Sequence, residues 1–341
     1  MSTKKEYNSI DILKFVLSIF VLLIHSKIDK TVISPLLRIA VPEFFVISAY
    51  LFFAKVAFLT DETKKRSALK RLVKRNLLLY LFWVIIQLPI IIYGHHFHVK
   101  FFTKGIWATL KIIVLGQAFT GSWYIVTLII GTILIYYASK KISAGWLVVL
   151  TLPFYILCCF TTNYRGVFGE NSLLIQFNTL YENVTQCIFN TGLPGGLFWI
   201  AVGNYMAKRP IRIKTDVLNI ILVFLLMLIA IERYLIVKFG WQCLDDCYFT
   251  LIFLCPVLLL LVKRYQFTFK SNFKFREMST LIFVTHGSCG RIVGFILKMA
   301  PQHLQNEFIK VGITIVAVMV VGILFLKLRD RLKIKVLEFA C

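Results

Sequence analysis

The first apolar segment, SIDILKFVLSIFVLLIHS, carries Asp11, Lys14, Ser18 and His25 among Ile, Leu, Val and Phe. On a helix turning about 100° per residue, Lys14 and His25 fall within roughly 20° of each other and about 16 Å apart along the axis. An imidazole exchanges protons near neutral pH, an ammonium holds an anion, and a carboxylate adjusts both. Ionisable groups within a membrane span face a protein interior or a watery cavity, because lipid does not solvate them. The ladder therefore reads as a functional wall, with Asp11 and Lys14 below His25, which is either a base or a structural histidine hydrogen-bonded between helices.

The elements that must position this wall are membrane helices. The 341 residues are 59% hydrophobic and 16% charged, with mean hydropathy +0.80; soluble domains carry about a quarter charged residues. Ten stretches are long enough, or nearly so, to span: 10–26, 39–58, 76–93, 123–138, 145–160, 191–207, 216–238, 247–262, 279–298 and 309–326. They fill most of the chain, so the expected fold is an all-α integral membrane bundle forming one domain over 1–341, with no separate soluble catalytic domain. Asp11 and Lys14 interrupt the first segment and no small-residue cleavage site follows, so no cleavable signal peptide is expected.

Lys and Arg collect in cytoplasmic loops. Placing the N-terminus inside puts most of the 39 Lys and Arg in inner loops, notably Lys64 to Arg75, Lys208 to Lys214, Lys263 to Arg276 and Lys327 to Lys335. Both termini are then cytoplasmic. The formal charge of +23 is mostly this topology signal plus attraction to anionic lipid, and it argues against nucleic acid as a partner. The apolar stretch 101–118 carries Lys104 and Lys111; a crossing there would turn every later basic loop outward, so it reads as an interfacial or re-entrant helix. The polar and aromatic loop 161–190 suits a cover over the outer mouth or a plain connector.

Other reactive side chains give weaker patterns. Cys243 and Cys247 form a tight i,i+4 pair, either disulfide-bonded or free. His95, His96 and His98 lack a further ligand at fixed spacing and read as a solvated loop, so no metal site is expected. Asn183-Val184-Thr185 matches a glycosylation sequon, a pattern common by chance. Nothing in the sequence sets an oligomeric state.

Several segments in order resemble the membrane-bound acyltransferase-3 family. Asp11 to His25 is similar to its Arg-x10-His signature, with Lys14 in the Arg position. Arg38-IAVPEFFVISAYLFF resembles its second span, with Ala49 where the family has Gly, and KRLVKRNLLLYLFW resembles its basic loop entering span 3. GSWYIVTLIIG, GGLFWIAVGNYMAKR and STLIFVTH, ending on His286, complete the order.

The resemblance implies a multi-pass enzyme of the bacterial inner membrane. It would move an acyl group, most simply acetyl, from cytoplasmic acyl-CoA to a hydroxyl of a cell-envelope glycan, its lipid-linked precursor or another small acceptor. Acyl-CoA is then a co-substrate, with no bound cofactor. Such transfer needs a base for the hydroxyl proton, donors for the oxyanion and cations for the polyanionic carrier. His25 with Asp11 and Lys14 would supply the catalytic group; Arg71, Lys74, Arg75 and His286 the donor site; Arg38, Glu43 and Trp123 the acceptor site. Arg38 and Glu43 would equally form a salt bridge, and Trp123 an interface anchor. Lys14 keeps the charge of Arg but not its planar fork. The competing class is a transporter of a small polar substrate lined by the same ladder, although the spans show no paired halves with matched Gly or Pro breaks.

Overall fold

The computed structural model describes residues 8–26, 28, 33–96, 110, 111, 113–169, 172–185, 188–242, 244–265 and 273–341, except the side chains of 92–96, 335 and 336. Every regular element among the described residues is helical. In chain order the α-helices are α1 (Asn8–Ile24), α2 (Ser34–Leu37), α3 (Ala40–Ala57), α4 (Glu62–His96), α5 (Ser122–Ala138), α6 (Ala144–Thr161), α7 (Leu173–Thr185), α8 (Leu193–Lys208), α9 (Thr215–Lys238), α10 (Leu251–Arg264), α11 (Phe275–Lys298), α12 (Glu307–Leu332) and α13 (Lys335–Glu338).

Six described helices are long and apolar enough to cross a membrane: α3 with its α2 lead-in, α4, α6, α9, α11 and α12. Four more of the ten expected segments form the shorter helices α1, α5, α8 and α10, of 14 to 17 residues. Most of the 101–118 segment lies outside the described residues, as do the side chains of His95, His96 and His98 and the residue Cys243.

The packing sorts the helices by how much of their surface is apolar. α3 is apolar nearly all round and buried along most of its length, as a central helix must be. It lies along α8, which also meets α5 and α6. Close approach is achieved by Gly203, where a Cβ would stand 2.6 Å from the Val46 carbonyl oxygen and 2.9 Å from the Tyr50 nitrogen. α9 instead exposes Ile220, Val223, Phe224, Met227 and Ile231. An outer surface this apolar is satisfied by lipid tails and not by water. Pro89, Pro153 and Pro256 lie inside α4, α6 and α10, which membrane bundles tolerate because neighbours re-satisfy the freed carbonyls.

α1 packs along α11, and α11 along α12. α1 and α11 run in the same direction: Ser279 Oγ donates to the Lys14 carbonyl near their starts, and His25 meets His286 at the far end. The end at which α1 begins is called lower below, the end at which it stops upper.

Candidate functional site

At the upper end of α1, His25 lies in the turn after the helix, its amide donating to the Val21 carbonyl at 3.3 Å. Its ring stacks on that of His286 from α11, with centroids 5.2 Å apart and planes 28° apart. The two imidazoles sit in different surroundings: His25 is exposed, His286 only 2% exposed. His286 Nδ1 lies 2.8 Å from the Phe283 carbonyl and 3.3 Å from that of Ile282. Carbonyls only accept, so Nδ1 carries the proton and donates to Phe283 O. Nε2 is then the lone-pair nitrogen of the neutral ring, and it is buried without a hydrogen-bond partner.

Three further elements hold His286 in place. Gln87 of α4, 4% exposed, donates from Nε2 to the Val284 carbonyl at 2.9 Å and accepts from Ser288 Oγ, so one side chain brackets His286 on α11. The turn 116–122 closes from the side. Gly121 adopts φ +81°, open to glycine, and an added Cβ there would reach the Phe283 ring at 3.2 Å. Gly287 lies against Thr120, whose Oγ1 would be 2.3 Å from a Cβ. Behind His286, the Tyr124 and Phe283 rings stand 5.3 Å apart, and the Tyr124 hydroxyl donates to the Phe44 carbonyl at 3.0 Å.

The lower end of the same helix pair is basic. Lys14 interacts electrostatically with Arg276, Asp11 and Arg75, and Arg75 with Arg276 and Glu277. A cavity of about 240 Å³ opens there, lined by Asn8, Asp11, Phe273, Lys274, Phe275, Arg276 and Glu277. Arg75 Nη2 also reaches the Cys341 carbonyl at 3.5 Å. Arg71 stands one turn earlier than Arg75 on α4 with Lys74 beside it, both exposed.

The remaining predicted residues separate. Arg38 forms an ion pair with Asp246, and not with Glu43. Asp246 also accepts from Asn190 Nδ2 at 3.0 Å, and its amide donates to Asn163 Oδ1 at 2.7 Å. Next to it Asp245 accepts from Ser34 and Tyr248 and lies 3.7 Å from Arg233 Nη1. Glu43 is fully buried on α3, both carboxyl oxygens unpaired by hydrogen bonds, with the Cys255 thiol of α10 as its polar neighbour. Trp123 packs its ring 5.9 Å from Phe45. Among the described residues no group of three or more His, Cys, Asp and Glu gathers as a metal site.

Sequence reasoning missed Gln87, Arg276, Asp245 and Asp246 as site residues. Gln87 had a signal, a lone amide within the apolar run 76–93. Arg276 was hidden among charges that topology alone explains.

The fold is thus a helical membrane bundle with paired imidazoles at one end of a helix pair and clustered cations at the other. The chain belongs to the acyltransferase-3 family, whose acyltransferase domain model matches residues 7–327. Two curated proteins of Enterococcus faecalis, each named amino-acid racemase, are also similar: one is 21% identical over 97% of this chain and 47% of its own length, the other 24% identical over 67% and 32%. The chain spans less than half the length of these relatives. No solved structure matches it.

Proposed function

We propose that this protein is an O-acyltransferase, most simply an O-acetyltransferase. It would carry an acyl group from cytoplasmic acyl-CoA to a hydroxyl of a cell-envelope glycan, its lipid-linked precursor or another small acceptor. The observation that carries the reading is the division of one helix pair into a basic lower end and a two-histidine upper end. The eleven residue steps from Lys14 to His25 rise about 16 Å, a depth that an extended pantetheine arm bridges.

In this reading the chain makes ten spans with both termini in the cytoplasm of a bacterial cell, in its inner membrane. The phosphates of acyl-CoA meet Lys14, Arg75 and Arg276, with Arg71 and Lys74 at the rim. The thioester lies at the histidine pair, where the hydroxyl proton is removed. Arg38, Glu43 and Trp123 would serve the acceptor in this reading. The racemase name of the two relatives adds no donor or acceptor.

The test is to incubate membranes holding equal amounts of wild type and His25→Ala with radiolabelled acetyl-CoA and extracted envelope glycans. Label on glycan with wild type, lowered with His25→Ala, supports the enzyme and its histidine pair. No transfer from any acyl-CoA tested overturns it in favour of transport of a small polar substrate.

A further inference from the structure

The signature histidine His25 is the base expected from sequence, yet the geometry points to its neighbour: we propose that His286 Nε2 is the proton acceptor for the attacking hydroxyl. The assignment rests on the acyltransferase reading above and goes beyond it by fixing the residue and the nitrogen.

A general base in a buried site needs a lone pair aimed at the reaction and no competing partner. His286 Nε2 carries an uncommitted lone pair and has no competing partner. Its ring is anchored from the opposite side by Nδ1–H on the Phe283 carbonyl, 2.8 Å away, which sets the tautomer and leaves the lone pair on Nε2. No protein group takes up that lone pair, and the atom is buried. Leaving a buried acceptor unpaired is unfavourable; a substrate hydroxyl supplies the missing donor. The helix bearing it is clamped by Gln87 at Val284 and Ser288 and backed by Thr120 at Gly287. His25 is exposed and attached by a turn, and its ring covers the face of the fixed one.

The step balances as follows. The hydroxyl O–H bond breaks, its proton forms an N–H bond at Nε2, and the oxygen's electron pair attacks the thioester carbonyl carbon. The adduct collapses with cleavage of the C–S bond, and the departing thiolate takes the proton from the imidazolium. Throughout, Nδ1–H stays on Phe283 O, where the carbonyl dipole stabilises the transient charge.

The experiment compares full-length wild type, His286→Asn and His25→Asn in membranes with radiolabelled acetyl-CoA and extracted envelope glycans. Protein amount, thermal transition and acetyl-CoA binding are measured alongside. Asn at 286 offers an amide N–H where Nδ1–H stands but no basic nitrogen; His286→Gln, read by the same criteria, covers the case in which the Asn variant does not fold. The proposal, which moves His286 out of the donor site the resemblance gave it, expects folded 286 variants that bind acetyl-CoA as wild type does and lose transfer by about 10²–10⁴-fold, with His25→Asn losing less than a tenth as much. A folded 286 variant that transfers within about threefold of wild type, or a larger loss at His25, overturns the assignment and leaves the enzyme standing. Absence of transfer by wild type removes the acyltransferase reading and this assignment with it.

Discussion

The rings of His25 and His286 stack at 5.2 Å although the residues are 261 positions apart, one at the end of the first helix and the other midway along α11. Parallel packing of α1 and α11 creates the pair. The contact brings one exposed imidazole onto one buried imidazole whose Nδ1 is already committed to a backbone carbonyl. Two chemically identical side chains thus sit in different surroundings.

Gln87→Leu is expected to loosen α4 from α11. The Val284 carbonyl and the Ser288 hydroxyl each lose their partner in a dry setting, which costs about 1–3 kcal/mol. Thermal unfolding in detergent should show the loss, with acyl transfer falling further than donor binding because His286 lies between the two anchor points. Unchanged unfolding and transfer would mean the clasp holds nothing in place.

Arg276→Ala and Arg75→Ala are each expected to weaken acetyl-CoA binding by roughly tenfold, the value of one charge-assisted hydrogen bond of about 1.5 kcal/mol. Arg276 matters to the prediction because it shares its electrostatic surroundings with Lys14 and Arg75 and lines the lower cavity. Equilibrium binding to purified protein checks it. The effect should shrink as salt is raised.

Gly203→Ala is expected to destabilise the bundle by about 1–3 kcal/mol through overpacking, against the fraction of a kcal/mol to about 1 kcal/mol that Ala gains over Gly in helix propensity. The added Cβ meets backbone atoms of Val46 and Tyr50 on α3, which cannot rotate away. A raised unfolding temperature would contradict this packing.

A double-mutant cycle on Arg38→Ala and Asp246→Ala should return a coupling of about 0.5–3 kcal/mol, because the two side chains are 21% exposed and in contact. The same cycle on Arg38 and Glu43 should return a value near zero. Unfolding measured for the four variants of each cycle decides between the partners.

Much of the architecture was legible from local pattern. Long apolar runs must become helices in lipid, since only a helix satisfies its own backbone there, and the segment boundaries at α3, α9 and α11 follow the apolar runs closely. Lys14 and His25 share a helix face for the same local reason. The order of motifs was enough to show the family resemblance. The partners across helices were not legible. Arg38 has an acid five residues away in sequence, yet the fold gives it Asp246, which arrives on the segment between α9 and α10. Gln87 reads as an isolated amide until α11 lies beside it.

By itself, then, the sequence determined a helical membrane chain with a polar face on its first helix and His25 at the end of that face, because hydropathy and the 3.6-residue turn act within a segment. Only the tertiary structure decided that His286 stacks on His25, that its Nε2 is left without a hydrogen-bond partner, and that Arg276 joins Lys14 and Arg75 below. Those choices depend on which helices pack and in what register, and that is settled by side-chain fit between segments hundreds of residues apart.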